Sequence, residues 1–189
     1  MHLDLSNTKI EDSTVSEISR IVQSSPELIS LGLDIGFAKN LTESGLASLV
    51  SGIFERKERF SSLALGFGGL QVVTSPLIEK LVEQLKNQQN SLRFLRLNFS
   101  DVKIEAADLE KISSVISSLD LEHLELYCGG NRSVGDKFLK QMMRYMQSNS
   151  KLKSFVLDVG YTSCSKKALK SCLKTPKLGL NTLGLYLNG

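Results

Sequence analysis

The 189-residue sequence has no tryptophan and only three prolines, three cysteines and two histidines. With no Pro- or Gly-rich linker, nothing marks an internal domain boundary, and a chain of this length buries one continuous core. At 41% hydrophobic and 23% charged residues, the composition is globular and excludes a disordered chain. The apolar runs are too short to span a membrane. The opening Met1-His2-Leu3-Asp4-Leu5 lacks the basic and apolar regions of a secretory signal. Cys128, Cys164 and Cys172 are odd in number and not in metal-type spacing, which points to a reduced, cytoplasmic protein. Without a signal, the sequons at Asn40, Asn98 and Asn131 are what a Ser- and Asn-rich chain produces by chance.

Carboxylates are scarce towards the end. Residues 1–129 hold 12 Lys and Arg against 18 Asp and Glu, a net of −6, whereas residues 130–189 hold 11 against 2, a net of +9. Such asymmetry can mark an anionic partner at one end.

Catalytic and cofactor signatures are missing as well. His123 and Cys128 are five apart in a strand, so they face opposite sides of the sheet and form no pair. His2 lies far from both, no acid-rich cluster accompanies either histidine, and no nucleophile stands with a base. Gly66-Phe67-Gly68-Gly69 has Gln71 where a dinucleotide loop needs its third glycine, and reads as a tight turn of positive φ. Cys128-Gly129-Gly130-Asn131-Arg132-Ser133 lacks the ending of a P-loop. A non-enzymatic protein without cofactor or metal is expected.

What is present is a repeat. The spelling L-x-x-L-x-L of Leu92–Leu97 returns along the chain, and alignment on its last leucine gives Leu5, Leu33, Leu65, Leu97, Leu126, Leu157 and Leu185. Apolar residues alternate in Leu31-Leu33-Ile35, Leu63-Leu65-Phe67, Leu95-Leu97-Phe99, Leu124-Leu126-Cys128, Phe155-Leu157-Val159 and Leu183-Leu185-Leu187, the mark of strands with one buried face. Between them the period changes to that of a helix, as in Leu46, Leu49, Val50 and Ile53, or Leu139, Met142, Met143 and Met146, which this spacing assigns to the core. Thr42 with Glu43, and Ser75-Pro76, read as caps or first-turn residues, and Gly52 should weaken its helix. Seven strands therefore alternate with six helices, each helix supplying the crossover that parallel strands need.

These stretches resemble leucine-rich repeats over residues 1–189, specifically the long ribonuclease-inhibitor-like class with a full helix per unit; Asn40–Leu46 and Val134–Leu139 look like its strand-to-helix turns. The resemblance implies an α/β solenoid, a horseshoe with seven parallel strands on its concave face and six helices on its convex face. The family places Asn or Cys three residues after the last leucine. This chain has Thr8, Gly36, Gly68, Ser100, Gly129, Gly160 and Asn188 there, so its loops should be less regular.

Two surfaces qualify as binding sites. On the concave face, alternation turns Phe94, Arg96, Asn98, His123, Glu125, Tyr127, Asp158 and Tyr186 outward, and aromatics and Arg are the usual interface anchors. The plain alternative is that Arg96 and Glu125 only pair with each other. Strands two and three present almost only Ser, Gly and Ala, apart from Asp34, which allows a partner's backbone to come close. On the convex face, Lys137, Lys140 and Arg144 on the fifth helix and Lys166, Lys167, Lys170 and Lys174 on the sixth should form a basic patch for an acidic protein, RNA or an anionic surface, or merely a solvated face. No RNA-binding motif or interleaved aromatic favours nucleic acid.

No capping unit is read at either end of the repeats, and Leu183, Leu185 and Leu187 should lie at an open end, which is expected either of a piece of a longer repeat protein or, the favoured reading, of end-to-end contacts in an assembly. The expected function is a protein–protein scaffold or adaptor in an intracellular complex. The alternatives are an inhibitor-type regulator of an enzyme, as the resemblance suggests, and a binder of an anionic partner through basic helices 137–177. The Ser-, Asn- and Lys-rich repeats resemble those of single-celled eukaryotes, cilium-associated ones among them, which implies a cytoskeletal association.

Overall fold

A computed structural model describes residues 1–172 and 179–188. Strand and helix alternate as β1 (His2–Asp4), α1 (Asp12–Gln23), β2 (Ser30–Asp34), α2 (Glu43–Phe54), β3 (Ser62–Gly66), α3 (Ser75–Lys86), β4 (Phe94–Asn98), α4 (Ala106–Ser117), β5 (His123–Tyr127), α5 (Asp136–Ser148), β6 (Ser154–Asp158), α6 (Lys166–Cys172) and β7 (Thr182–Tyr186). The strands form one parallel sheet in chain order. This is the expected α/β leucine-rich-repeat solenoid.

Register ties sequence to packing. Leu33, Leu65, Leu97, Leu126, Leu157 and Leu185 stand side by side across β2 to β7. The first unit differs from the expected alignment, because Leu3, not Leu5, pairs with Leu33. A slip of two residues keeps each side chain on its own face, so His2 and Asp4 stay on the open side while their partners become Gly32 and Asp34. Beneath the sheet, Leu31, Leu63, Leu95, Leu124 and Phe155 are buried with the central leucines. One step further, Ile35, Phe67, Phe99, Cys128 and Val159 extend the core, with the Phe67 and Phe99 rings stacked at 5.7 Å. Burial pushes the Cys128 thiol well up, which disfavours the thiolate. Met142, Met143 and Met146 are core residues as expected.

The loops correct one expectation. They are regular, through a device other than the family asparagine. Asp4, Asp34, Asn98 and Asp158, each next after a central leucine, accept the backbone N–H two residues on, from Ser6, Gly36, Ser100 and Gly160 at 2.8–3.0 Å. Four residues after that leucine comes a left-handed residue in every described turn: Asn7, Phe37, Gly69, Asp101, Gly130 and Tyr161, with φ between 55° and 77°. Gly69 and Gly130 adopt it freely, whereas Phe37 and Tyr161 do so against the steric preference of L-residues. The turns are held by the neighbouring unit: the Phe37 N–H donates to Gly68 O and the Gly69 N–H to Ser100 O, both at 2.8 Å. The sheet's hydrogen-bond ladder thus continues beyond the strands.

Helix starts are tied across units too. Thr42 caps α2 by accepting the Gly45 N–H at 3.1 Å, and its own hydroxyl and N–H donate to the Asp12 carboxylate at 2.5 and 3.0 Å. Thr74 donates to Glu43 at 2.6 Å, Ser75 to the buried Asp108 at 2.5 Å, and the Ser165 hydroxyl and N–H to Asp136 at 2.7 Å. These bonds hold the Asp12 and Asp136 carboxyls below the usual carboxylate range. Ser75 and Pro76 open α3, as predicted. Gly52, which weakens a helix in isolation, lets α1 lie close: a Cβ there would come within 2.6 Å of the Ser19 Cβ.

Candidate functional site

Helices cover one face of the sheet, and the other is open. Its residues stand in three rows fixed by register. One reads Ser30, Ser62, Phe94, His123, Ser154, Thr182; the next His2, Gly32, Ala64, Arg96, Glu125, Val156, Gly184; the third Asp4, Asp34, Gly66, Asn98, Tyr127, Asp158, Tyr186. All eight predicted concave-face residues lie in these rows.

They are not equivalent. Arg96, Glu125 and Tyr127 form one cluster: the Arg96 Nε donates to Glu125 Oε2 at 2.5 Å, and the Tyr127 hydroxyl to the same oxygen at 3.2 Å. The cross-strand pairing foreseen as the plain reading is therefore present. It fixes the guanidinium in place without hiding it, since the Arg96 side chain is 44% exposed and that of Glu125 17%. Glu125 holds the Arg96 guanidinium above its ordinary pKa, and burial with the nearby Glu125 charge raises the Tyr127 phenol. Phe94 and His123 stand beside this cluster with ring centroids 6.2 Å apart. Two strands and five side chains thus give an aromatic-and-charged platform, half-buried before any partner arrives.

Asn98 and Asp158 have structural work that the sequence did not reveal. Each carboxamide or carboxylate Oδ1 closes its own turn, at Ser100 and Gly160. Tyr186 lies apart, exposed on the last strand.

Beside the platform lies a hollow of about 290 Å³, lined among others by Asp4, Asp34, Ala64, Gly66, Arg96 and Tyr127. The small residues of β3 make it. Gly66 has no Cβ, and the Asp34 carboxylate occupies the space where one would be. Carboxylates stand on one wall of the hollow and the guanidinium on the other.

The basic residues also fall where expected. Lys140, Arg144, Lys166, Lys167 and Lys170 are exposed on α5 and α6. Lys137 differs in that Glu110 on α4 neutralises it at 2.5 Å. Lys174 lies outside the described residues. On the last strand Leu183 is 44% exposed, while Leu185 and Leu187 are half-buried.

Sequence reasoning missed two features. Asn131, set aside as a chance sequon, is 3% exposed, and its Nδ2 donates to Phe99 O at 2.7 Å and Cys128 O at 3.0 Å. It ties that loop's backbone from a position two residues after the one where the resembled family places its asparagine. Phe37 and Tyr161 are exposed aromatics in left-handed backbone, and only a register-based alignment of the turns would have flagged them.

Among the described residues no group of three or more His, Cys, Asp or Glu side chains is placed to hold a metal ion. No helix among them is long and apolar enough to cross a membrane.

No family model matches the sequence, and no curated protein resembles it in sequence. Solved structures do resemble the fold, in 48 chains. One, titled Leiomodin-1 Actin-Binding Site 2 (ABS2), has a TM-score of 0.54 over 78% of this chain and 79% of its own, at 11% identity. A likeness at that identity is a likeness of fold.

Proposed function

We propose that this chain is a non-enzymatic protein-binding module, a scaffold or adaptor that grips its partner on the open sheet face. The observation that carries this reading is the Phe94, Arg96, His123, Glu125 and Tyr127 platform. It joins two aromatic rings and a guanidinium already fixed by Glu125, so little side-chain freedom remains to be lost on binding. The adjoining hollow over Ala64 and Gly66 receives backbone or a narrow side chain, and Asp34 and Arg96 fix its orientation.

Helices of 12 or 13 residues in α1 to α5 favour placement in the long, ribonuclease-inhibitor-like class. The similar chain whose title names an actin-binding site makes actin the first partner to test, and a cytoskeletal location the first to examine.

The test compares proteins recovered with the intact chain and with the Phe94→Ala/Tyr127→Ala variant, alongside cosedimentation with filamentous actin. Loss of a specific partner in the variant, with an unchanged melting curve, is the expected result. Retention of every partner removes the open face as the site.

A further inference from the structure

On α4 and at the start of α5, lysines find carboxylates within the molecule. The Lys111 ammonium takes Glu79 of the preceding helix at 2.7 Å and the buried Asp108 at 3.0 Å. Lys137 takes Glu110, again from the preceding helix. Near the strand starts, Lys151 pairs with Asp120 and Lys153 with Glu122, both at 2.6 Å. In the pairs with Glu79, Glu110, Asp120 and Glu122 a lysine of one unit meets an acid of the unit before.

Among the described residues no such pair forms at the seam between α5 and α6, where the acids run out. Residues 137–189 contain one, Asp158, and it faces the open side of the sheet with its Oδ1 bound to the Gly160 N–H. Asp136, one turn before Lys140, has both oxygens taken by Ser165. Lys140 and Arg144 on α5 and Lys166, Lys167 and Lys170 on α6 therefore lie exposed, and among the described residues none is ion-paired. Like charges stand on adjacent helices where every earlier seam between α3 and α5 carries opposite ones.

Shape and spacing suggest what completes the seam. Lys166, Lys167, Lys170 and Ser171 line a depression of about 430 Å³. Lys166 and Lys170 are four residues apart on one helix, about 6 Å along its axis. Alternate side chains of an extended polypeptide repeat at about 6.5 Å. We propose that this depression binds an extended acidic segment of a partner protein, whose successive outward carboxylates supply the acids that the chain's own repeats stop providing. The site is separate from the open sheet face and does not depend on it. A bilayer is flat and bridges a depression without entering it. Four of the five cations are lysines, and the aromatics of α5, Phe138 and Tyr145, are buried, so that helix offers no ring for nucleic-acid bases to stack on.

The test uses the full chain and a short fluorescein-labelled poly-glutamate peptide, read by anisotropy. Binding at low salt, weakened as salt is raised, is expected. The Lys166→Glu/Lys167→Glu/Lys170→Glu variant should weaken it about tenfold, the sum of three exposed ion pairs. Lys9→Glu/Lys39→Glu, an equal kind of change at exposed lysines elsewhere, should leave it unaltered. The triple variant should melt no lower than the parent, because it relieves repulsion between α5 and α6; if it unfolds, the Gln triple variant carries the same comparison. Failure of the peptide to bind the intact chain at low salt overturns the proposal, as does binding that survives the triple change. Tighter binding to phosphatidylserine vesicles or single-stranded RNA than to the peptide overturns it as well.

Discussion

Strands β2 and β3 share backbone, register and buried face with β4 and β5, yet the two pairs offer a partner opposite surfaces. On β2 and β3 the open-face residues are Ser30, Gly32 and Asp34, then Ser62, Ala64 and Gly66. On β4 and β5 they are Phe94, Arg96 and Asn98, then His123, Glu125 and Tyr127. The leucines beneath are alike in burial. The fold is thus specified by one set of alternate positions and the surface by the other. A hollow and a platform can lie side by side on one sheet because nothing in the core distinguishes them.

Removing what the two regions share should have the largest effect. Leu97→Ala deletes a fully buried side chain between β3 and β5, and should cost about 3 kcal/mol, read as a lower urea midpoint. A loss below about 1 kcal/mol would mean that the core there relaxes, and that the two surfaces are not held by one rigid sheet.

Next comes a change that makes the hollow resemble the platform. Valine at position 66 suits a strand by propensity, but its Cβ must displace the Asp34 carboxylate, which then gives up the Gly36 N–H. Gly66→Val should lose about 1 kcal/mol in urea unfolding, against the propensity trend. A stabilised variant would show that Asp34 moves freely and that the hollow is not maintained by that bond.

The smallest effect is expected within the platform. Arg96 and Glu125 are partly exposed, so a double-mutant cycle of Arg96→Ala with Glu125→Ala should give a coupling under about 1 kcal/mol that shrinks with salt. A larger, salt-insensitive coupling would assign the pair to stability rather than to recognition.

The strands, their buried face and the alternation of helices were legible because the leucine pattern repeats at both periods. The platform was legible for the same reason, since parity alone turns Phe94 to Tyr127 outward. The register of β1 was not. Leu3 and Leu5 fit the alternation equally well, and only pairing with β2 separates them. Nor could the double duty of Asn98 and Asp158 be read, because an acceptor that closes its own turn has the same alternation as one that faces a partner. Asp108 was missed for another reason: its partner Ser75 lies 33 residues away on a neighbouring helix, and nothing local marks the pairing.

Fastening each helix start to the next unit has a mechanical consequence. Asp12 to Thr42, Glu43 to Thr74 and Asp108 to Ser75 bind α1 to α4 into one zipper, and Asp136 to Ser165 joins α5 to α6. Among the described residues the α4–α5 seam has no such clasp; it carries the exposed Lys137–Glu110 pair and the Ser113–Gln141 hydrogen bond. Fraying that begins at either end must release a clasp with each unit it consumes, and at α4–α5 it must instead release the Tyr145 hydroxyl from Leu119 O and the Asn149 carboxamide from Leu121 O. The gap in the row of clasps coincides with the line where the chain's charge changes sign.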